Sequence, residues 1–313
     1  MKPDDSSLQI FELAAVERQA RDLLNRASAW GRFPTPIDDI LGAAKLRVAP
    51  KGLFDPAAFI AYVQKKAEQV AHVAHTLKSA LSKVFGLYDA NEQIIHIDES
   101  VGPSKQTFLK LHEAGHHELP THRKIFCLFQ DCEQTLAPTI ADQFEREANN
   151  FARFALFQGD AFQQLAADMP MAVKTPITLS KKFGASVYAS AREFARTHHR
   201  ACLVYVLEPI QLLPGHPAVA AVRRIEASPS FAQQFGIPAG DKIDVHHALG
   251  GLLPIGRKMT KPTLLHFADR NGIAHECLGE AFDTSHNVLL LIYPIKALTG
   301  SAIYLSSSEK LGL

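Results

Sequence analysis

The sequence predicts an α+β fold in which a largely helical first part is followed by a β-rich last part. Two observations carry this prediction. Apolar residues recur at helical spacing over much of residues 6–200, whereas residues 201–313 contain short apolar runs that are typical of strands. The step Asn271-Gly272 between two of those runs is a strong hairpin signal. A chain of 313 residues has room for two or three domains, and we place them at 1–172, 173–200 and 201–313.

The elements of the first part follow from the spacing of apolar residues and from the positions of proline and glycine. Up to residue 98, we expect a helix, a short helix, a strand, a long helix and two hairpin strands, at residues 6–29, 37–41, 46–48, 57–83, 84–89 and 93–98. The last of these strands is predicted to lie at a sheet edge, where it would hold an extended peptide by β-augmentation.

Three further helical stretches are expected before residue 200. One begins at Pro103-Ser104, with Ser104 as its N-cap, and ends at Pro120. A second covers residues 140–158 and buries a stripe formed by Phe144, Ala148, Phe151, Ala152 and Ala155. Residues 177–197 then predict two helices around the turn Gly184-Ala185. The β-rich part is predicted to contain strands at residues 201–207, 262–268, 274–282 and 288–293.

The composition is that of an ordinary globular protein and argues against several functional classes. The chain is 47% hydrophobic and 21% charged with a net charge of +1, so no overall field favours nucleic acid or a membrane. We expect no signal peptide, and the apolar run at 287–294 is too short to cross a bilayer. The four cysteines match no zinc-ribbon spacing, which favours reduced thiols in a cytoplasmic protein.

The main chemical motif is His112-Glu113-Ala114-Gly115-His116, inside the helix that follows the predicted hairpin. Two histidines four residues apart lie on one face of a helix and can bind the same Zn²⁺. The glutamate beside the first histidine has the chemistry of a general base acting on a metal-bound water. A strand-strand-helix order with this motif on the helix is the local architecture of the zinc proteases called zincins.

Two residues compete to be the third metal ligand. His122 gives the spacing of the metzincins, but that class needs a glycine at the position of Leu119 to turn the chain sharply. Glu145 lies on the next helix with Asn149 one turn further on, and Asn149 can hydrogen-bond a ligating histidine or the carboxylate itself. We favour Glu145 over His122, and over Glu147, which points about 200° away around the same helix.

The motif at residues 112–116, followed by Glu145-Arg-Glu-Ala-Asn149-Asn-Phe-Ala152, resembles the ImmA/IrrE-type metallopeptidases. The likeness is specific over residues 84–160, weaker over 177–200, and architectural beyond. It implies a zincin-like domain, a helix-turn-helix-like linker and a GAF-like C-terminal domain. It also implies that His112, His116 and Glu145 bind Zn²⁺, with Mn²⁺ as the other candidate, and that Glu113 is the base. The helical stretch at 57–83 departs from the short members of the family.

The resemblance also implies a function. Members of the family cleave a helix-turn-helix repressor of the XRE type, which derepresses stress or mobile-element genes. The implied partner is therefore a protein substrate, without direct contact to nucleic acid. Tyr88 in the predicted hairpin is the candidate for a further donor to the oxyanion.

Two other interpretations remain open at this point. Residues 179–194, with basic residues nearby, are compatible with a DNA-binding or ligand-sensing regulator whose metal site is not catalytic; those basic residues are Lys181, Lys182, Arg192, Arg196 and Arg200. A secreted metzincin-like protease that uses His122 is the third interpretation, and the missing glycine argues against it.

Overall fold

The computed structural model describes residues 6–49, 86–89, 93–97, 101–122, 138–212, 214–215 and 217–296. Helices and strands are mixed, as the predicted α+β class requires. The chain divides into two compact units, Met1–Met169 with Lys174–Ser190 and Pro170–Val173 with Ala191–Leu313. The predicted boundaries at residues 172 and 200 stay predictions, and the predicted helix at 57–83 lies outside the described residues.

The first unit combines helices with a small sheet. Its helices are α1 (Ile10–Arg26), α2 (Ile37–Ala43), α3 (Pro103–Glu118), α4 (Pro138–Leu156), α5 (Ala161–Ala167) and α6 (Lys174–Phe183), and its strands are β1 (Arg47–Val48), β2 (Gly86–Asp89) and β3 (Ile94–Ile97). A further helix, α7 (Val187–Thr197), begins in this unit and ends in the second. Across the part of the chain that the structure describes, none of the helices combines the length and the apolar character needed to cross a membrane.

The small sheet confirms the predicted hairpin but corrects its place in the sheet. β2 and β3 are antiparallel, with Tyr88 opposite Ile95. β1 pairs in parallel with the other side of β3, so the strand order is β1-β3-β2. The prediction that residues 93–98 form an edge strand is therefore wrong, because hydrogen bonds occupy both sides of β3. Of these three strands, β1 and β2 lie at the edges.

Both ends of α3 are set by proline. Gly102 is the N-cap and Pro103 lies in the first turn, so the prediction that Ser104 caps the helix is wrong. Proline suits this position because its fixed φ is already helical and its missing N–H would have had no helical partner. At the other end Leu119 is extended, with φ −76° and ψ 116°. A residue before proline is disfavoured in the helical region, and Pro120 opens a new helical segment instead of continuing α3.

The core of the first unit includes the interface between α3 and α4. All five residues of the predicted stripe on α4 are buried, namely Phe144, Ala148, Phe151, Ala152 and Ala155. On α3, Leu111 and Ala114 are fully buried. The two helices pack against each other, and α1 packs against α4. This packing brings the motif at residues 112–116 next to the acidic residues of α4.

The second unit is built on a six-stranded antiparallel sheet. Its elements are β4 (Leu203–Leu207), β5 (Val219–Ala227), α8 (Pro229–Phe235), β6 (Lys242–Asp244), β7 (Thr263–Ala268), β8 (Ala274–Asp283) and β9 (Val288–Pro294), with strand order β6-β5-β4-β9-β8-β7. The hairpin at Asn271-Gly272 is confirmed, and Gly272 has the positive φ of +79° that such a turn favours. β5, β6 and α8 were not predicted. The likeness of this unit to a GAF domain stays a prediction.

Candidate metal centre

Three side chains from two helices converge at one point. The Nε2 atoms of His112 and His116 are 3.2 Å apart. Glu145 places Oε2 at 3.3 Å from Nε2 of His112 and Oε1 at 3.6 Å from Nε2 of His116. A ligand atom from each residue lies within 4.8 Å of the others, so the three form a group that can hold a metal ion. The histidines are buried, whereas the Glu145 side chain is 49% exposed, which leaves the group open on the glutamate side.

A glycine lets the two helices approach closely enough for this convergence. Gly115 lies between the histidines on α3 and faces Phe151 of α4. A Cβ at residue 115 would be 3.1 Å from Cβ of Phe151, tighter than ordinary van der Waals contact. Any larger residue would push α3 away from α4 or force the fully buried Phe151 to move.

Asn149 forms a hydrogen bond with His112, one of the two contacts that its position on α4 predicted. Its Oδ1 lies 3.1 Å from Nδ1 of His112. Because an amide oxygen can only accept, Nδ1 of His112 carries the hydrogen and donates it. In the neutral ring, Nε2 of His112, the nitrogen that faces His116 and Glu145, then carries the lone pair.

The rival ligand His122 does not join this group. It is fully buried, with Nδ1 3.0 Å from Nδ1 of His116 and Nε2 2.7 Å from Oε2 of Glu147. Both ring nitrogens are therefore occupied on the far side of His116 from Glu145. Glu147, the other rival, binds His122 and also accepts from Gln143 at 3.0 Å. Sequence reasoning weighed both residues only as ligands and missed that they contact each other.

Burial and mutual contacts shift the pKa values of the group. Burial lowers the pKa of His116 to about 4 and raises that of Glu113 to about 7. Burial also lowers the pKa of His112, but Glu145 raises it more, to about 9. Burial raises the pKa of Glu145, whereas its hydrogen bonds with the two histidines hold it well below its usual range. The ionised Glu145 thus stabilises a positive charge on His112.

The two remaining candidates for catalysis are Glu113 and Tyr88. Glu113 follows His112 on α3 and is buried, with an exposed fraction of 7%. Tyr88 lies on β2, and its side chain is outside what the structure describes. The structure therefore brings His112, His116, Glu145 and Asn149 together. The roles assigned to these four residues and to Glu113 and Tyr88 stay predictions.

Comparison with known proteins gives a match to a family model and distant likenesses to solved structures. The model of the IrrE N-terminal-like domain, Peptidase_M78, matches residues 67–194, which include the whole group described above. The chain has no significant match among the curated proteins. Among solved structures, a Mycobacterium tuberculosis transcriptional regulator is similar with a TM-score of 0.49 and 10% sequence identity, covering 89% of this chain and 75% of that one.

Proposed function

Because the chain belongs to the ImmA/IrrE family through its IrrE N-terminal-like domain, we propose that it is a zinc-dependent endopeptidase that cleaves an XRE-type helix-turn-helix repressor. The observation that carries the proposal is the convergence of two imidazole nitrogens and one carboxylate beside a buried glutamate. Two histidines and a glutamate are a known ligand set for catalytic zinc, which keeps one position for water or substrate.

The spacing of the three residues supports an ion of the size of zinc. Ligand atoms about 2.0–2.1 Å from a tetrahedral ion lie about 3.4 Å from one another. The two histidine nitrogens are 3.2 Å apart, and the Glu145 carboxylate places Oε2 at 3.3 Å from His112 and Oε1 at 3.6 Å from His116. Mn²⁺ is the alternative ion, because the half-exposed carboxylate would also suit a metal that prefers oxygen ligands.

The protein's own residues divide the work of hydrolysis. His112, His116 and Glu145 would hold the ion, which when bound supplies a Lewis acid for the peptide carbonyl and a more acidic water. Glu113 takes the proton from the attacking water and passes it to the leaving amine. Asn149 keeps His112 in the tautomer that presents Nε2. Tyr88 is the candidate from the sequence for a hydrogen-bond donor to the developing oxyanion.

The repressor as substrate rests on the family resemblance and has its own test. The chain is incubated with an XRE-type repressor and Zn²⁺ or Mn²⁺, and cleavage is followed by mass spectrometry. Glu113→Gln should keep the metal and abolish cleavage, while Asp142→Asn, a matched change on the exposed side of α4, should cleave like the wild type. Cleavage by Glu113→Gln at the wild-type rate would refute the mechanism, and no cleavage of any XRE-type repressor would refute the substrate.

The alternative of a DNA-binding regulator is less well supported by the second unit. Two of the basic residues on which it relied, Arg192 and Arg196, form ion pairs with Glu226 of β5 at 2.8 and 2.7 Å. Glu226 thus balances one of the two positive charges inside the unit, and neither arginine side chain is exposed enough to form a basic face. Salt-dependent binding of the whole chain to duplex DNA would favour this alternative over the peptidase.

A further inference from the structure

We infer that His122 and Glu147 are positioning residues that fix the ring tautomer of His116, so that its Nε2 is the nitrogen that binds the metal ion. This inference rests on the metal-dependent function proposed above and assigns to the two residues a role that is distinct from ligation. It follows from three observations, namely the hydrogen-bond partners of His122, its burial, and the contacts that hold Glu147.

The direction of the hydrogen bonds that link His116, His122 and Glu147 follows from the carboxylate of Glu147, which is the last acceptor in this series. An ionised carboxylate can only accept, so the 2.7 Å contact between Oε2 of Glu147 and Nε2 of His122 requires a hydrogen on that nitrogen. In a neutral His122, Nδ1 is then an acceptor. The 3.0 Å contact between the Nδ1 atoms of His122 and His116 therefore needs its hydrogen on His116.

The consequence for His116 is a single tautomer. With the hydrogen on Nδ1, its lone pair is on Nε2, which lies 3.2 Å from Nε2 of His112 and 3.6 Å from Oε1 of Glu145. The opposite direction would place a lone pair of His122 against the carboxylate, which is repulsive. Both hydrogen bonds of this series are donated in the direction from His116 towards Glu147. The carboxylate therefore also makes Nε2 of His116 a better electron donor.

Contacts from several sides hold His122 and Glu147 in place. His122 is fully buried and stacks on Phe144, with ring centroids 4.0 Å apart and planes 19° apart. Glu147 accepts a second hydrogen bond from Nε2 of Gln143 at 3.0 Å, and that nitrogen lies 3.1 Å from Oε1 of Glu12 on α1. His122 thus has one ring orientation, set by α4, in which both nitrogens meet their partners.

The test uses variants of the full chain that separate hydrogen bonding from packing. His122→Phe keeps a ring against Phe144 but removes both nitrogens. Glu147→Gln removes the negative charge that fixes the direction of the hydrogen bonds from His116 through His122. His122→Asn keeps a side-chain oxygen that can accept from Nδ1 of His116. His198→Phe is the matched control, because His198 is another buried histidine whose ring packs against a phenylalanine, with ring centroids 4.7 Å apart.

Two measurements are made on each variant. Zinc affinity is obtained by competition with a chelator, and the tautomer of His116 is obtained from ¹⁵N shifts of labelled histidine in the metal-free protein. We expect His122→Phe to bind zinc about 10–100-fold more weakly, Glu147→Gln to show a smaller loss, and His122→Asn to recover most of the affinity. His198→Phe should bind like the wild type, and the Nδ1–H tautomer should lose population only in the first two variants.

Each outcome has a definite meaning. Unchanged zinc affinity in both His122→Phe and Glu147→Gln, or an unchanged His116 tautomer in them, would overturn the inference while leaving the proposed peptidase intact. Should His122→Phe fail to fold, Glu147→Gln alone decides. A wild-type chain that binds no zinc would instead count against the proposed function, so the two failures are distinguishable.

Discussion

Replacing Gly115 by alanine should weaken the metal centre without touching a ligand. Gly115 lies on α3 between His112 and His116, and the added Cβ would be 3.1 Å from Cβ and 3.2 Å from Cγ of Phe151. Ordinary contact begins at 3.4 Å, so α3 and α4 must separate locally by about 0.3 Å. Phe151 is fully buried and cannot turn away.

The expected magnitudes can be worked from this geometry. Alanine in a helix is favoured over glycine by about 1 kcal/mol, whereas overpacking a core costs about 1–3 kcal/mol. The free energy of unfolding should therefore fall by about 0–2 kcal/mol. A shift of about 0.3 Å between the histidines and Glu145 exceeds the tolerance of about 0.2 Å for metal–ligand distances, so we expect roughly tenfold weaker zinc binding.

The assay pairs Gly115→Ala with Gly42→Ala. Gly42 lies in α2, and a Cβ there meets nothing within 4 Å, so it reports the helix propensity alone. Urea unfolding should show that Gly42→Ala is stabilised by up to about 1 kcal/mol and that Gly115→Ala is not. If Gly115→Ala gains as much stability as Gly42→Ala and binds zinc like the wild type, the reasoning about the close helix contact is refuted.

Three further perturbations test other parts of the molecule. Glu226→Gln should lower the free energy of unfolding by about 3 kcal/mol at pH 7, because Arg192 and Arg196 lose their carboxylate. Burial raises the pKa of Glu226, but the two arginines lower it more, to below its ordinary value of 4.5. The stability from these ion pairs is therefore complete above about pH 4.5 and is lost as the pH falls through the lowered pKa. Urea titrations in which the variant shows the same acid dependence as the wild type would contradict this. Gly250→Ala should destabilise the second unit by more than about 3 kcal/mol, because its Cβ would lie 2.4 Å from the Asp244 carbonyl oxygen. The zinc affinity of this variant should not change, and an unchanged melting temperature would contradict the prediction. Zinc at 100 times its Kd should raise the free energy of unfolding by about 2.7 kcal/mol in the wild type, and a comparable gain in His112→Ala would argue against the site.

Much of the fold could be predicted because its signals are local. Helical periodicity predicted the buried stripe of α4, and the i, i+4 spacing of His112 and His116 needs nothing beyond the geometry of one helix. The antiparallel pairs β2–β3 and β7–β8 each join strands that are neighbours along the chain, so local patterns predicted them. The strand β5 was missed because its exposure is mixed and two charged residues, Arg223 and Arg224, interrupt its apolar pattern.

The features that the sequence left open depend on contacts between distant segments. β3 is a central strand because it pairs with β1, a partner almost fifty residues earlier, and no local pattern reports that pairing. The choice among Glu145, Glu147 and His122 depends on the rotation of α4 against α3, which is set by packing at Gly115 and Phe151. Spacing along the chain therefore determines which two histidines share a face of α3. Helix packing determines that Glu145 meets these histidines and that His122 and Glu147 lie on the far side of His116 from Glu145.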